Sequence, residues 1–304
     1  MKMKAIVFEK YGPPEVLQLK EVDKPIPKDN EILIRIHATT VAAADWRMRK
    51  ADPPMARLFN GLFRPKRVNI LGMELSGEIE SIGSAVTKFN VGDKVFGSAE
   101  FQFGAHAEYI CLAEDGVIAI KPQNLTLDQA AAVCFGGLGA YHYFAKNIVR
   151  SGQKVLINGA SGSTGSSAVQ IAKYLGAEVT GVCSGKNIEV VKSLGADNVI
   201  DYTKVDFTDG EVLYDFIFDA VGKTSKAKCK NILSPNGTFA TIMKGNRSKK
   251  ERAQDLLILK KIIEEGKMQA VIDREYSMEE IVEAYKYVEK GHKVGNVLIK
   301  IRNK

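Results

Sequence analysis

Small residues at a spacing that suits phosphate binding occur near the middle of the chain. Ala160, Gly162 and Gly165 follow an apolar run at residues 155–157, and a helix pattern begins at Ser166. Glycine at such a turn lets an anion approach the main chain, and amides at the helix N-terminus then donate to it. The whole loop consists of Ala160, Ser161, Gly162, Ser163, Thr164 and Gly165. A second apolar run follows at 178–183, and this order of strand, turn, helix and strand predicts a dinucleotide bound by its pyrophosphate.

The end of that second apolar run indicates which dinucleotide is bound. NAD enzymes usually carry an acidic side chain there, about 20 residues beyond the glycines, that bonds the ribose 2′-hydroxyl. Residues 183–187 read CSGKN and contain no acid. Ser184 and Lys186 would instead attract a 2′-phosphate. We therefore expect NADPH rather than NADH; the alternative interpretation is a solvated loop that happens to contain a lysine.

The patterns around this loop divide the chain into three stretches. Residues 1–124 show short strand patterns between glycine and proline turns, residues 125–266 alternate strands with helices, and residues 267–304 return to a strand, a helix and a strand. The alternation predicts right-handed crossovers and a parallel sheet. The expected fold is therefore α/β, with a Rossmann-type doubly wound sheet (125–266) inserted in a mostly β domain (1–124 and 267–304). The cofactor should lie in the cleft between the two domains.

Length, composition and charge limit the possible functions. The 304 residues, 45% hydrophobic and 26% charged, provide enough core material for two domains. The net charge of +7 is modest and spread along the chain, so we expect a small-molecule substrate and no nucleic-acid partner. No apolar run approaches the ~18 residues of a membrane span, and the first residues show no secretory signal pattern. We therefore expect no membrane partner and a cytoplasmic location.

Several further motifs occur in an order that resembles a known superfamily. They are LGMELSGEIESIG at 71–83, FNVGDKVFG at 89–97, GAHAEY at 104–109, SLGAD at 193–197, IDYT at 200–203, DAVG at 219–222 and GHKVGNV at 291–297. Together with the glycine loop they cover essentially the whole chain, and they resemble the medium-chain dehydrogenase/reductase superfamily, in particular its zinc-free, quinone-oxidoreductase-like branch. The resemblance implies that the β domain is GroES-like and that the protein is a reductase transferring hydride from NADPH.

The resemblance also suggests further residues for the cofactor site. A tyrosine at the position of Tyr202 approaches the adenosine end of NADPH in the family pattern, although tyrosine is also common in ordinary strands. Ala220 and Val221 would belong to the turn under the nicotinamide. Gly137 would lie beside the nicotinamide ribose, and Asn296 would be part of a tail that returns to the cofactor.

Zinc ligands are missing from the two positions where zinc-dependent alcohol dehydrogenases carry them. Those positions correspond to residues 41–45 (VAAAD) and 72–74 (GME), which contain neither Cys nor His. Alanine and a methionine thioether are not strong zinc ligands. We therefore expect no metal, and a substrate that accepts hydride without a Lewis acid, such as a quinone or an α,β-unsaturated carbonyl.

Candidates for direct catalysis are few. Asp45 and Trp46 lie in a loop that we expect to face the nicotinamide; the alternative is a turn-capping aspartate and a packing tryptophan. Ala42 and Ala43 stand where many relatives carry Asn-Pro, so a side-chain donor to the substrate oxygen is missing there. Three functions stay open: a quinone or enone reductase, a zinc-independent alcohol/carbonyl oxidoreductase, and a non-catalytic NADPH-binding protein.

The segment after the fifth strand of the Rossmann domain departs from the family pattern. Relatives usually have a sixth strand, which often pairs two sheets across a dimer axis. Here the polar residues 244–252 lead from a strand pattern at 238–243 directly into a helix pattern at 253–265. A highly charged sheet edge discourages strand pairing, so we expect a monomer or an atypical dimer.

Overall fold

The computed structural model describes residues 1–144, 149–242 and 248–301. Its strands are β1 Lys2–Phe8, β2 Leu17–Asp23, β3 Glu31–Thr40, β4 Glu74–Ile82, β5 Lys94–Ser98, β6 Tyr109–Ala113, β7 Val117–Ile120, β8 Lys154–Asn158, β9 Glu178–Cys183, β10 Asn198–Asp201, β11 Tyr214–Asp219, β12 Leu233–Thr241, β13 Ile272–Ser277 and β14 Asn296–Lys300. Its α-helices are α1 Ala43–Lys50, α2 Ala56–Asn60, α3 Leu127–Ala131, α4 Cys134–Phe144, α5 Ser163–Tyr174, α6 Ile188–Ser193, α7 Lys249–Glu264 and α8 Ile281–Glu289.

Five parallel strands form the sheet of the inserted domain, in the order β10-β9-β8-β11-β12. The central strand β8 is apolar on both faces, and Val155, Leu156 and Ile157 are fully buried. Strands of this kind are typical of a parallel sheet that is covered by helices on both sides. The strand order changes direction between β8 and β11, so the carboxyl ends of these two strands flank the crevice where such sheets bind ligands.

The β domain is built around a seven-stranded sheet that contains strands from both ends of the chain. Its path is β13-β14-β3-β4-β5-β7, with β6 also paired to β3. The C-terminal strand β14 runs antiparallel to β3, with Leu298 opposite Thr40. The α/β fold, a Rossmann-type sheet inserted in a mostly β GroES-like domain, is therefore confirmed. The domain boundaries at 124/125 and 266/267 stay predictions.

The edge of the parallel sheet differs in its bounds from the sequence prediction. The strand β12 begins five residues earlier than predicted, and α7 begins at Lys249 instead of residue 253. The earlier start of α7 has a local cause: Ser248 Oγ accepts from the Glu251 amide (3.3 Å), and the Glu251 carboxylate accepts from the Ser248 amide (2.8 Å). This reciprocal cap nucleates the helix. In the described part of the chain the parallel sheet has no sixth strand, and residues 244–247 of the predicted departure lie outside the described residues.

Candidate functional site

The glycine loop leads from β8 into α5 and leaves the first turn of that helix open. Gly162 is the N-cap, with an extended backbone (φ −78°, ψ 176°) and no side chain to cap the helix. A Cβ on Gly165 would lie 2.0 Å from the Gly159 carbonyl oxygen, so this glycine allows α5 to pack against the loop. A Cβ on Gly162 would meet nothing nearer than 3.5 Å. This free space, and the first-turn amides that have no partner within the helix, fit the pyrophosphate of a dinucleotide.

The C-terminal tail reaches the glycine loop, as the resemblance suggested. The Gly295 amide donates to the Ser161 carbonyl (2.8 Å), and Ser163 Oγ donates to Asn296 Oδ1 (2.6 Å). Asn296 Nδ2 in turn donates to the Ala132 carbonyl (2.7 Å) ahead of α4. One buried amide therefore joins the loop, the tail and the short segment between α3 and α4.

The turn after β9 lies against the same loop. Ser184 is the half-buried N-cap of a short 3₁₀ turn, Gly185–Asn187, and Lys186 on this turn is exposed. Asn187 Nδ2 donates to Ser161 Oγ (3.0 Å). The structure thus brings Ser184 and Lys186 close to the glycine loop, and it adds Asn187, which the sequence analysis did not consider.

An acid does lie near this turn, contributed by the neighbouring strand β10. Asp201 is level with Cys183 across the sheet and is 9% exposed. Its Oδ1 accepts from the amide and the hydroxyl of Thr203 (3.0 and 2.7 Å), and the hydroxyl hydrogen bond is the largest cause of the lowered Asp201 pKa. Its Oδ2 lies 2.5 Å from the position that a Cβ on Gly185 would take. Asp201 was not predicted because it lies on the neighbouring strand and not at the end of β9.

The remaining predicted residues at the adenosine side and under the nicotinamide lie at strand ends. Tyr202 directly follows β10 and is half-exposed, with its amide bonded to the Cys183 carbonyl. Asp219, at the end of β11, is fully buried and fixes the turn that contains Ala220 and Val221. Its carboxylate accepts from Asn158 Nδ2 and from the amides of Val221, Gly222 and Thr224, at 3.0–3.1 Å. Val221 also lies beside the glycine loop, since a Cβ on Gly159 would be 2.2 Å from its Cγ2.

Gly136, rather than Gly137, faces the glycine loop from α4. A Cβ on Gly136 would lie 2.6 Å from the Ser163 carbonyl oxygen, whereas one on Gly137 would lie 2.5 Å from Leu259 Cδ2 on α7. Gly137 therefore provides room for α7 to pack against α4. Neighbouring positions on a helix point about 100° apart, and this rotation separates the two glycines.

The two catalytic candidates occupy structural positions. Asp45 is fully buried, and its carboxylate accepts from the amides of Ala42 (2.7 Å) and Gly72 (2.8 Å). Burial raises the pKa of Asp45 to about 7. Trp46 is half-buried against the core of the β domain, with the Lys50 ammonium 5.3 Å from its ring centroid. Both carboxylate oxygens of Asp45 are thus engaged, and the geometry agrees with the turn-capping alternative.

Two ionisable side chains close to the tail, Glu74 and Lys293, were not predicted from the sequence. Glu74 is buried, and its carboxylate accepts from Thr40 Oγ1 and from the Phe135 amide. Burial raises the pKa of Glu74 to about 7. The half-buried Lys293 donates to the Gly295 carbonyl; burial lowers the pKa of Lys293 to about 8, and the charge of Glu74 opposes that shift. No local pattern could reveal this pair, because the two residues are brought together only by the return of the tail.

The positions that correspond to zinc ligands contain no suitable donor set. Ala42 and Met73 are both buried, and Glu74 accepts hydrogen bonds from protein groups. Across residues 1–144, 149–242 and 248–301, no three His, Cys, Asp or Glu side chains are grouped as metal ligands would be. Over the same ranges, no helix is both long and apolar enough to cross a membrane.

Two family models match the two domains of the chain. Residues 28–122 match the alcohol dehydrogenase GroES-like domain, and residues 163–284 match the zinc-binding dehydrogenase family. A 2-methylene-furan-3-one reductase of Solanum lycopersicum is 30% identical over 326 residues, which cover 98% of this chain and 79% of that protein. The chain therefore belongs to the medium-chain dehydrogenase/reductase superfamily, in its quinone-oxidoreductase-like branch.

Other relatives and solved structures agree with this assignment. An NADPH-dependent alkenal/one oxidoreductase of Arabidopsis thaliana is also 30% identical, over 98% of this chain and 79% of that protein. The structure of a quinone oxidoreductase from Coxiella burnetii superposes with a TM-score of 0.88 at 31% identity, covering 99% of this chain and 100% of that one. The chain is accordingly an oxidoreductase of a family that binds a nicotinamide cofactor.

Proposed function

We propose that the protein is an NADPH-dependent reductase that delivers hydride to a quinone or an α,β-unsaturated carbonyl without zinc. The observation that carries the proposal is the crevice at the carboxyl ends of β8 and β11. There the glycine loop, the Asp219 turn and the tail at Asn296 meet through the hydrogen bonds described above. When bound, NADPH supplies the hydride, and the surrounding residues hold and orient it.

The first-turn amides of α5 would bind the pyrophosphate, and the turn after β9 would bind the 2′-phosphate. Ser184 offers a hydroxyl, and the exposed Lys186 offers a positive charge on the same turn. The Asp201 carboxylate lies on the side of Gly185 where a side chain would be, and it is almost completely buried. Its negative charge therefore lies beneath the turn, which leaves Lys186 as the exposed charge of this turn.

Titration of Lys186→Ala with both cofactors tests this preference. The variant should bind NADPH about tenfold more weakly, the loss of one exposed charge-assisted hydrogen bond, while NADH binding stays the same. Lys192→Ala, which removes an exposed lysine from α6, is the matched control and should change neither affinity. Tighter binding of NADH than of NADPH by the wild-type protein would contradict the NADPH assignment.

The proposed substrate class rests on the missing zinc ligands. Ala42 and Met73 stand where zinc ligands would be, and no carboxamide is available at 42–43 to polarise a carbonyl. A quinone or an enone spreads the incoming charge onto an oxygen that water or backbone donors can stabilise, whereas an isolated carbonyl needs stronger polarisation. Two relatives, a furanone reductase of tomato and an alkenal/one oxidoreductase of Arabidopsis, support this class by their names.

Steady-state oxidation of NADPH against quinones, enones and simple aldehydes separates the possible functions. We expect turnover with quinones or enones and little with aldehydes, both before and after treatment with a chelator. Turnover only of aldehydes or alcohols would favour the alcohol/carbonyl oxidoreductase. Tight NADPH binding with no turnover of any compound would favour the non-catalytic binding protein.

The proposal also includes the type of substrate, the cellular location and the oligomeric state of the protein. A small-molecule substrate and a cytoplasmic location remain the expectations from the sequence, and so does a monomeric or atypically dimeric state. Fractionation of the cells that express the protein and a mass measurement in solution test the last two expectations.

A further inference from the structure

The loop between α1 and β4 exposes large apolar side chains. In this basic-apolar loop, residues 53–67, the exposed fractions are 73% for Met55, 77% for Leu58, 55% for Leu62 and 87% for Phe63. Single exposed apolar residues are common on protein surfaces, but four within nine positions form a patch that calls for a partner.

Hydrogen bonds hold this loop in place, and its Asn60 side chain points inwards. Asn60 is fully buried; its Oδ1 accepts from the Val68 amide (2.6 Å) and its Nδ2 donates to the Val68 carbonyl (2.9 Å). The Lys66 amide donates to the Asn60 carbonyl (2.7 Å), and Tyr11 Oη donates to the Gly61 carbonyl (2.7 Å). The asparagine is thus inside while the leucines and phenylalanine are outside, the reverse of ordinary patterning.

The charge of the loop has a single sign. Arg57, Arg64, Lys66 and Arg67 are all exposed, and the sequence has no Asp or Glu between residues 53 and 73. The Arg67 guanidinium lies 4.2 Å from the ring centroid of Phe59, so cations and apolar groups share one surface.

We propose that the basic-apolar loop docks the protein on an anionic phospholipid surface. The apolar tips would enter the boundary between headgroups and acyl chains, and the four cations would lie at the level of the phosphates. A second copy of the chain fits less well, because a two-fold contact would place four cations against four cations. This is peripheral contact and needs no spanning helix, so it revises the expectation of no membrane partner. It does not depend on the proposed reductase activity.

Co-sedimentation with lipid vesicles tests the docking. The full chain is mixed with vesicles of phosphatidylcholine, with or without a third of phosphatidylglycerol. We expect binding to the anionic vesicles only, decreasing as salt is raised, because each Lys or Arg near such a surface strengthens partitioning about fivefold. The double variants Leu58→Ser/Phe63→Ser and Arg64→Gln/Lys66→Gln should each lose tenfold or more in partition coefficient, with thermal unfolding unchanged since these side chains are exposed.

Matched controls use exposed residues elsewhere. Leu257→Ser on α7 and Lys226→Gln/Lys228→Gln after β11 should sediment like the wild type. Failure of the wild-type protein to bind anionic vesicles would overturn the proposal, as would equal binding by both loop variants. A concentration-dependent dimer that Leu58→Ser/Phe63→Ser abolishes, without vesicle binding, would assign the loop to self-association instead.

Discussion

We expect the glycine at position 162 to matter for binding of the cofactor and not for the stability of the fold. Its backbone is extended, and a Cβ would meet nothing nearer than 3.5 Å, so the protein itself does not require glycine here. Aspartate is a good N-cap and stabilises a helix N-terminus through the dipole. The same carboxylate would stand where we propose that the pyrophosphate binds. A bound pyrophosphate would account for a glycine without a capping side chain at this position.

Gly162→Asp should therefore keep or slightly raise stability and strongly weaken cofactor binding. We expect an unfolding midpoint at or above that of the wild type, because the new cap contributes ~0.5 kcal/mol, and a loss of NADPH affinity of about a hundredfold from charge repulsion. Calorimetry and fluorescence titration measure the two effects. Gly162→Ser, which adds a cap without a charge, should lose much less affinity. NADPH binding by Gly162→Asp that matches the wild type would place the pyrophosphate elsewhere.

Glu74 should make stability depend on pH. Burial raises the folded-state pKa of Glu74 to about 7, above its ordinary value of 4.5, so the fold favours the protonated form. Its contribution to stability is therefore complete below pH 4.5 and is lost as pH rises to about 7. Glu74→Gln cannot ionise and should be more stable than the wild type by a margin that grows across this window, on the order of 3 kcal/mol at most.

Chemical denaturation at a series of pH values measures that margin. Glu279→Gln, at an exposed position before α8, is the matched control and should differ from the wild type by the same small amount at every pH. A constant difference between Glu74→Gln and the wild type from acid to neutral pH would show that folding leaves the pKa of Glu74 at its ordinary value. The pKa of Asp45 is also raised to about 7, but Asp45 is present in both proteins. Its contribution therefore largely cancels in the difference in stability.

At the scale of elements, the tail strand β14 positions the cofactor loop through one side chain. Asn296 is 5% exposed and bonds Ser163 Oγ, the Ala132 carbonyl and the Val271 carbonyl. Asn296→Ala would leave buried partners unsatisfied and should lower the free energy of unfolding by about 2 kcal/mol. NADPH affinity should fall as well, since Ser163 loses its orientation. Asn90→Ala at an exposed turn should cost under ~0.5 kcal/mol. If Asn296→Ala lowered the free energy of unfolding by no more than this control does, the linking role would be contradicted.

The order of elements could be predicted from the sequence because the signals for it are local. Apolar runs near glycines predicted β8 and β9, and the spacing of Ala160, Gly162 and Gly165 predicted the turn into α5. The start of α7 was predicted too late, although Ser248 followed three residues later by Glu251 is a recognisable capping signal. Contacts between distant segments had no such signal: Asp201 at Gly185 and Lys293 near Glu74 depend on strand order and on the return of the tail.

For the molecule as a whole, the edge strand β12 indicates which oligomeric state to expect. Within the described residues β12 pairs only with β11, and Pro235 within it lacks an amide to donate to a further strand. We expect a monomer, or a dimer that does not pair sheets through β12. Size-exclusion chromatography with light scattering measures the mass. A stable dimer whose β12 amides are protected from hydrogen exchange only at dimer-forming concentrations would refute this expectation.

Isotopic labelling shows directly which carbon of the substrate accepts the hydride. The metal-stripped protein is supplied with NADPH deuterated at the transferable position and with a conjugated enone, and the product is analysed by NMR. We expect deuterium on the carbon β to the carbonyl, because charge developing on the oxygen needs no metal there. Deuterium on the carbonyl carbon, or transfer that appears only after zinc is restored, would contradict it.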